Sequence, residues 1–257
     1  MDIALVALAG LIWGSFANVV IARVPRDMPW IAGSSMCPRC NAKIAWFDNI
    51  PVASWLVLRG RCRQCRESIS IRYLVVEIGT AAAFVAVYVT WGLTLTALAF
   101  AYLAAVSIIL VAIDLDVHRL PDSIVLPSFV VGGVLLTASA LAEGDLWDVG
   151  RAALGAVALG ASYGLLRMAY RAGMGGGDVT TAGLLGMYGG FLGWSTWAVA
   201  AFWGPIIGGL IAAAGLLTRR LTRKSRIPFG PALIAGAWLG YFFGAAMFDW
   251  YIEMLVG

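Results

Sequence analysis

Long apolar runs alternate with short polar segments along the whole chain. The runs lie at Ile3 to Ala22, Val75 to Trp91, Leu93 to Ile113, Ile124 to Leu141, Ala152 to Ala169, Val179 to Leu192, Trp197 to Leu217 and Ala232 to Met247. Most have the roughly 17 to 25 residues that a helix needs to cross a bilayer. Val179 to Leu192 is short and interrupted by glycines. The pattern predicts an all-α polytopic membrane protein of about eight transmembrane helices with a small cytoplasmic loop domain. The expected division is a first helix over 1–22, a cysteine domain over 23–73 and a seven-helix membrane domain over 74–257.

Composition agrees: 61% of the 257 residues are hydrophobic and only 12% charged, with a mean hydropathy of +0.87. Too little polar surface is available for a soluble protein of this size. The basic residues set the orientation, because Lys and Arg near short loops favour the cytoplasmic side. With both termini outside, every one of the 18 basic residues except Arg151 falls inside. The net charge of +4 therefore reflects topology, and nothing in it calls for a nucleic-acid partner. The first apolar run has no small-residue cleavage site after it and leads into Arg23-Val24-Pro25-Arg26, so it reads as a retained span. Its Gly14, Ser15 and Asn18 read as helix-packing residues, with Asn18 hydrogen-bonding to a neighbouring helix.

All four cysteines lie in the first cytoplasmic loop, as Cys37-Pro38-Arg39-Cys40 and Cys62-Arg63-Gln64-Cys65. Two such knuckles can offer four thiolates to one tetrahedral Zn²⁺. Disulfides are the competing account, which a reducing cytoplasmic compartment disfavours. Four protein ligands leave no open position, so the expected zinc is structural, a staple for a domain poor in apolar residues. Between the knuckles, the stretch Asp48 to Leu56, with Trp46 and Phe47 before it, is amphipathic and suited to lie at the bilayer headgroups. In the second span Glu77 enters hydrocarbon depth, which marks either a functional acid or one paired with a cation such as Arg72.

Further acids gather where the third span ends, in Asp114-Leu115-Asp116-Val117-His118-Arg119-Leu120-Pro121-Asp122. Asp122 reads as a cap for the fourth span and Asp116 as a partner of Arg119. His118 reads as a surface residue. Asp114 closes an apolar helix at its C-terminus, where the dipole disfavours an anion, and so asks for a reason. A glycine run, Gly173-Met174-Gly175-Gly176-Gly177, leads to Asp178. Taken alone, Asp178 caps a helix beginning at Val179. Spans four and five cross and return, however, bringing Asp178 to the face and depth of Asp114. A close carboxylate pair is not readily doubly ionised, so one member holds a proton while the other acts as a base on water. The glycines would leave room for another backbone to approach.

Together these residues resemble the type IV prepilin peptidases, intramembrane aspartyl proteases with a Gly-x-Gly-Asp motif. The resemblance runs over nearly the whole length. It rests on Gly175-Gly176-Gly177-Asp178, on Asp114 placed before Leu120-Pro121-Asp122, and on Gly14-Ser15-Phe16 with Asn18. The four cysteines, Asn49-Ile50-Pro51, Arg72-Tyr73 with Glu77, and Pro228-Phe229-Gly230-Pro231 also fit. Two positions depart from it: Thr180 stands where members often carry lysine, and Leu74 where proline is frequent.

The resemblance implies a multi-pass enzyme of the bacterial inner membrane, serving type IV pili or type II secretion, that removes the basic leader of prepilins or pseudopilins at the cytoplasmic face. It implies Asp114 and Asp178 as catalytic acids and Gly175, Gly176 and Gly177 as active-site backbone. Many members also methylate the new N-terminus with S-adenosylmethionine, for which Gly60 beside the second knuckle is a candidate contact and a simple turn the competing reading. A peptidase without methyl transfer, a proton-coupled transporter gated by a zinc module, and an inactive docking platform are the alternatives. The transporter would place its acids near the bilayer midplane, whereas these lie at helix ends.

Overall fold

The computed structural model describes residues 3–31, 35–169, 174–219 and 228–256. Gly173, Arg171 and the basic residues at 220, 223, 224 and 226 lie outside the described residues. Nine α-helices follow in order among the described residues: α1 (Ile3–Arg23), α2 (Ala53–Val57), α3 (Ile71–Trp91), α4 (Leu95–Val117), α5 (Asp122–Glu143), α6 (Trp147–Ala169), α7 (Gly176–Leu192), α8 (Trp194–Leu217) and α9 (Gly230–Val256). Seven of these are long and apolar enough to cross a bilayer. They account for seven of the eight runs in the sequence, so the all-α membrane architecture holds.

The eighth run is α7, whose 17 residues span only about 26 Å at 1.5 Å per residue. Every side chain from Thr181 to Phe191 in it is buried. A helix sheltered by its neighbours on all sides tolerates being short and rich in glycine, because it presents little surface to lipid.

The chain forms two compact units, residues 1–109 and 110–257, and α4 passes from one into the other. In the first, α1 packs along α3 at backbone distance. A methyl group at Gly10 would lie 2.6 Å from the Cα of Ala81, and one at Gly14 2.6 Å from the Cα of Glu77. Asn18 donates to the Tyr73 carbonyl at 3.1 Å, so the small and polar residues of α1 are packing residues, as their spacing suggested. The second span begins earlier than its hydropathy indicates: α3 starts at Ile71, with Ser70 as its N-cap accepting the Arg72 amide.

In the second unit α6 lies against α7 and α8 against α9. Gly155 and Gly186 face each other across α6 and α7, each against the other's carbonyl oxygen, and a methyl at Gly236 would meet the Cα of Gly204 at 2.6 Å. Small residues at crossing points let apolar helices approach closely where no hydrophobic effect drives them together. Tyr241 of α9 donates to the Leu185 carbonyl of α7 at 2.6 Å.

Candidate active site and metal centre

The ends of α4, α5, α7 and α9 meet at one joint in the second unit. Asp114 is buried, 4% exposed, one turn before the end of α4, and its Oδ2 accepts the backbone N–H of Gly230 at 3.0 Å. The helix closes over it, since His118 turns left-handed at φ 52° and its amide donates back to the Asp114 carbonyl at 2.9 Å. His118 itself is exposed.

Asp178 lies in the first turn of α7, where its Oδ2 accepts the Gly175 amide at 2.7 Å. The helix begins at Gly176 with Gly175 as its N-cap, so Asp178 is not the cap. It is the third helical residue reaching back to the cap's amide, the acidic half of a capping box. This corrects the simple capping expectation. Asp178 is half-buried and feels the charges of Asp114 and Arg167. Each of the two acids has one oxygen fixed by a backbone amide.

Asp122 is also displaced from its expected role. Pro121 is the N-cap of α5 and Asp122 is its first helical residue. Its Oδ1 accepts the hydroxyl of Thr180 at 2.7 Å. Leu120, buried just before it, is clamped between two glycines. A methyl at Gly177 would run into the Leu120 carbonyl oxygen and lie 2.8 Å from its Cβ, and one at Gly230 would lie 3.0 Å from its Cδ2 and 2.8 Å from the Asp114 carboxylate. The space left by Gly177 is therefore filled by this chain's own backbone. At Gly176 the neighbour is the Arg167 guanidinium, 3.3 Å from where a methyl would stand. Beside Asp178 a cleft of about 330 Å³ opens, lined by Gly164, Arg167, Met168 and Val179.

The four cysteines converge in the first unit, with all four sulfurs within 4.8 Å of one another. The Sγ atoms of Cys37 and Cys65 are 3.7 Å apart, close to the roughly 3.8 Å edge of a tetrahedron with Zn–S bonds of about 2.3 Å. Both knuckles have the same backbone. The amide of Cys37 donates to Ala42 and that of Asn41 to Cys37, while the amide of Cys62 donates to Glu67 and that of Arg66 to Cys62. A short bridge closes each, Met36 with Lys43 and Arg61 with Ser68. Amides of Cys40 and Arg39 hold the Cys37 thiol down at about 6, whereas, against the Glu67 amide, burial and the other three sulfurs push that of Cys65 up to about 12, so the four sulfurs titrate as one cluster. The donor set fits a divalent, thiophilic cation.

The family descriptions of known proteins divide the chain into two matches. A bacterial peptidase A24 N-terminal domain matches residues 8–91 and the type IV leader peptidase family matches residues 101–213. A prepilin leader peptidase/N-methyltransferase of Bacillus subtilis is 32% identical over 253 residues, covering 96% of this chain and 97% of that relative. The chain belongs to the type IV leader peptidase family. Relatives of the same name in Aeromonas hydrophila (35% identical over 284 residues, 96% of this chain and 93% of that relative) and Neisseria gonorrhoeae (34% over 264 residues, 91% and 88%) agree. No solved structure matches the chain significantly.

In this leader peptidase, Glu77 is buried and accepts the Val52 amide at 2.7 Å. Its partners are thus a backbone group of the cysteine loop and the Ser15 side chain of α1. Val52 is held at φ 61°, unusual for a β-branched residue, and the bond to Glu77 ties that strained turn to α3. Gly60 sits in a left-handed turn at φ 64° with the Trp55 indole against it, 2.8 Å from where a methyl would be. The left-handed conformation is that of a tight turn, for which glycine is the favoured residue. The stretch before α2 is pinned by Asp48, whose carboxylate takes both the Nε and a terminal nitrogen of Arg63 at 2.7 and 2.5 Å. That guanidinium holds the Asp48 carboxyl below the ordinary range. Trp46, Leu56 and Val57 are exposed, as an interfacial segment requires.

Gly230 is the site residue that the sequence did not single out. It was legible only as part of a Pro-Phe-Gly-Pro motif, and the need for its amide at Asp114 has no signature in residue type.

Proposed function

We propose that this chain is an intramembrane aspartyl endopeptidase that removes the basic leader of type IV prepilins or pseudopilins at the cytoplasmic face of the inner membrane, and methylates the new N-terminus. The observation that supports the peptidase reading is that Asp114 and the residue before Asp178 come from separate helices to the same Leu120 link, with Oδ2 of each acid held by a backbone amide. In this reading Oδ1 of each acid faces water and substrate. One carboxylate, ionised, takes a proton from water as it attacks the scissile carbonyl; the other, protonated, donates to the carbonyl oxygen. Collapse of the tetrahedral intermediate returns the proton to the leaving amine. In this reading an unwound substrate backbone would enter the cleft lined by Gly164, Arg167, Met168 and Val179.

Cys37, Cys40, Cys62 and Cys65 would hold one structural Zn²⁺, whose contribution is to fix the fold of the cysteine domain. Methyl transfer rests on the names of the relatives. S-adenosylmethionine would supply the methyl group, and with Gly60 covered by Trp55 no residue is assigned to it. The orientation that puts both termini outside is supported by the basic residues, Arg151 alone falling on the outer side.

The test is to incubate the purified full-length protein with a prepilin and S-adenosylmethionine and to follow the product by mass spectrometry. Loss of the leader with gain of one methyl group is the expected result. An intact prepilin refutes the peptidase reading, and an unmethylated product removes only the second activity.

A further inference from the structure

The joint that holds the acids has a polar pin that the dyad chemistry does not use. Thr180 is two residues past Asp178, on the first turns of α7. Its hydroxyl donates to Asp122 Oδ1 at 2.7 Å and also lies 3.1 Å from the Gly177 carbonyl. A hydroxyl has one proton, and the charged acceptor takes it, because a hydrogen bond to a carboxylate is roughly twice as strong as one to a neutral oxygen. Asp122 begins α5 and is joined through Pro121 to Leu120, which is wedged between Gly177 and Gly230. Gly230 in turn supplies the amide held by Asp114. A closed circuit results: Asp114 to Gly230, Gly230 to Leu120, Leu120 to Gly177, and Thr180 back to Asp122. Leu120 packed on Gly177 sets how close α7 comes to the link before α5. The hydroxyl–carboxylate bond adds a directional tie to that contact.

We propose that Thr180 and Asp122 are positioning residues for the dyad: the hydrogen bond between them locks the start of α7 to the start of α5 and so fixes Asp178 relative to Asp114. This inference rests on the peptidase reading above. Neither residue touches the reacting atoms, so their loss lowers turnover and leaves substrate binding intact.

The test compares full-length Thr180→Val, Thr180→Ser, Asp122→Ala, Asp122→Asn and the Thr180→Val/Asp122→Ala double variant with wild type, using prepilin cleavage and thermal unfolding in the same detergent. Displacing one acid by a fraction of an ångström to 1 Å costs up to about 100-fold. Thr180→Val and Asp122→Ala are expected to lower kcat by about 10- to 100-fold with KM within about 2-fold. Thr180→Ser and Asp122→Asn retain a donor and an acceptor and should stay within about 3-fold of wild type, with the double variant no slower than the slower single variant by more than about 2-fold. Wild-type kcat in Thr180→Val, a Thr180→Ser as slow as Thr180→Val, or multiplying losses in the double variant would overturn the proposal. Should Thr180→Val or Asp122→Ala fail to fold, an Asp122→Asn as inactive as the dyad variants would still overturn it, by making Asp122 an acid of the reaction itself. These outcomes leave the peptidase reading untouched; that reading fails only if wild type does not cleave or if Asp114→Asn and Asp178→Asn do, and the positioning role falls with it.

Discussion

Gly177→Ala is the smallest change that should disable this site without touching either acid. A methyl group there would meet the Leu120 carbonyl oxygen, with Leu120 Cβ at 2.8 Å and its carbonyl carbon at 3.0 Å. Carbon atoms in contact settle at about 3.5 to 4.0 Å, so the start of α7 and the α4–α5 link must part by about 1 Å. The obstacle is backbone, which no rotamer change relieves. Asp178 is the next residue, and a misplacement of about 1 Å costs on the order of 100-fold in turnover. Stability should fall by about 1–3 kcal/mol, the usual cost of overpacking. Gly133→Ala is the control, because nothing lies within 4 Å of a methyl at that position. Initial rates of leader removal by the two purified variants, measured beside their thermal unfolding midpoints, decide the matter. Gly133→Ala should cleave as wild type does. A Gly177→Ala protein that cleaves within about 3-fold of wild type would refute the claim that Leu120 against Gly177 sets the geometry of the dyad.

Other consequences follow from the first unit. The purified protein should carry one zinc per chain, and Cys37→Ser or Cys62→Ser should lose it and raise hydrogen exchange across residues 35–70; a metal-free wild type with a protected loop would contradict the zinc assignment. Glu77→Leu should strand the Val52 amide and cost about 1–3 kcal/mol in thermal unfolding, whereas Glu77→Gln retains an acceptor and should cost less. Equal midpoints for Glu77→Leu and wild type would show that the strained turn at Val52 does not depend on that bond.

Much of this architecture can be read from residue types. Spans declare themselves by length and hydropathy because a bilayer selects for both, and two CxxC pairs declare a metal site because few other uses need four thiols so spaced. Asp114 stands out because the dipole disfavours an acid at the C-terminus of an apolar helix, and Asp178 because it closes a glycine run that the topology returns to the same face. What escapes the sequence is contacts made by backbone. The amide of Gly230 on Asp114 and that of Val52 on Glu77 have no code in side-chain chemistry. Glycines report that something comes close without saying what, so Gly177 invites a substrate strand on paper and holds Leu120 in the fold. Helix starts shift for a similar reason: Asp122 and Asp178 look like caps, but Pro121 and Gly175 are the N-caps of those helices. That frees the Asp122 carboxylate to meet Thr180 and lets Asp178 hold the cap's amide.

The central claim is that Asp114 and Asp178 act as one acid–base pair. Its most direct test is the rate of prepilin cleavage by Asp114→Asn and Asp178→Asn, each folded and membrane-inserted like wild type. General acid–base catalysis contributes about 10²- to 10⁴-fold, and each substitution should remove at least that much. The double variant should be little slower than either single one, because the two residues work as a unit. Cleavage by either single variant at a rate near wild type would contradict the account.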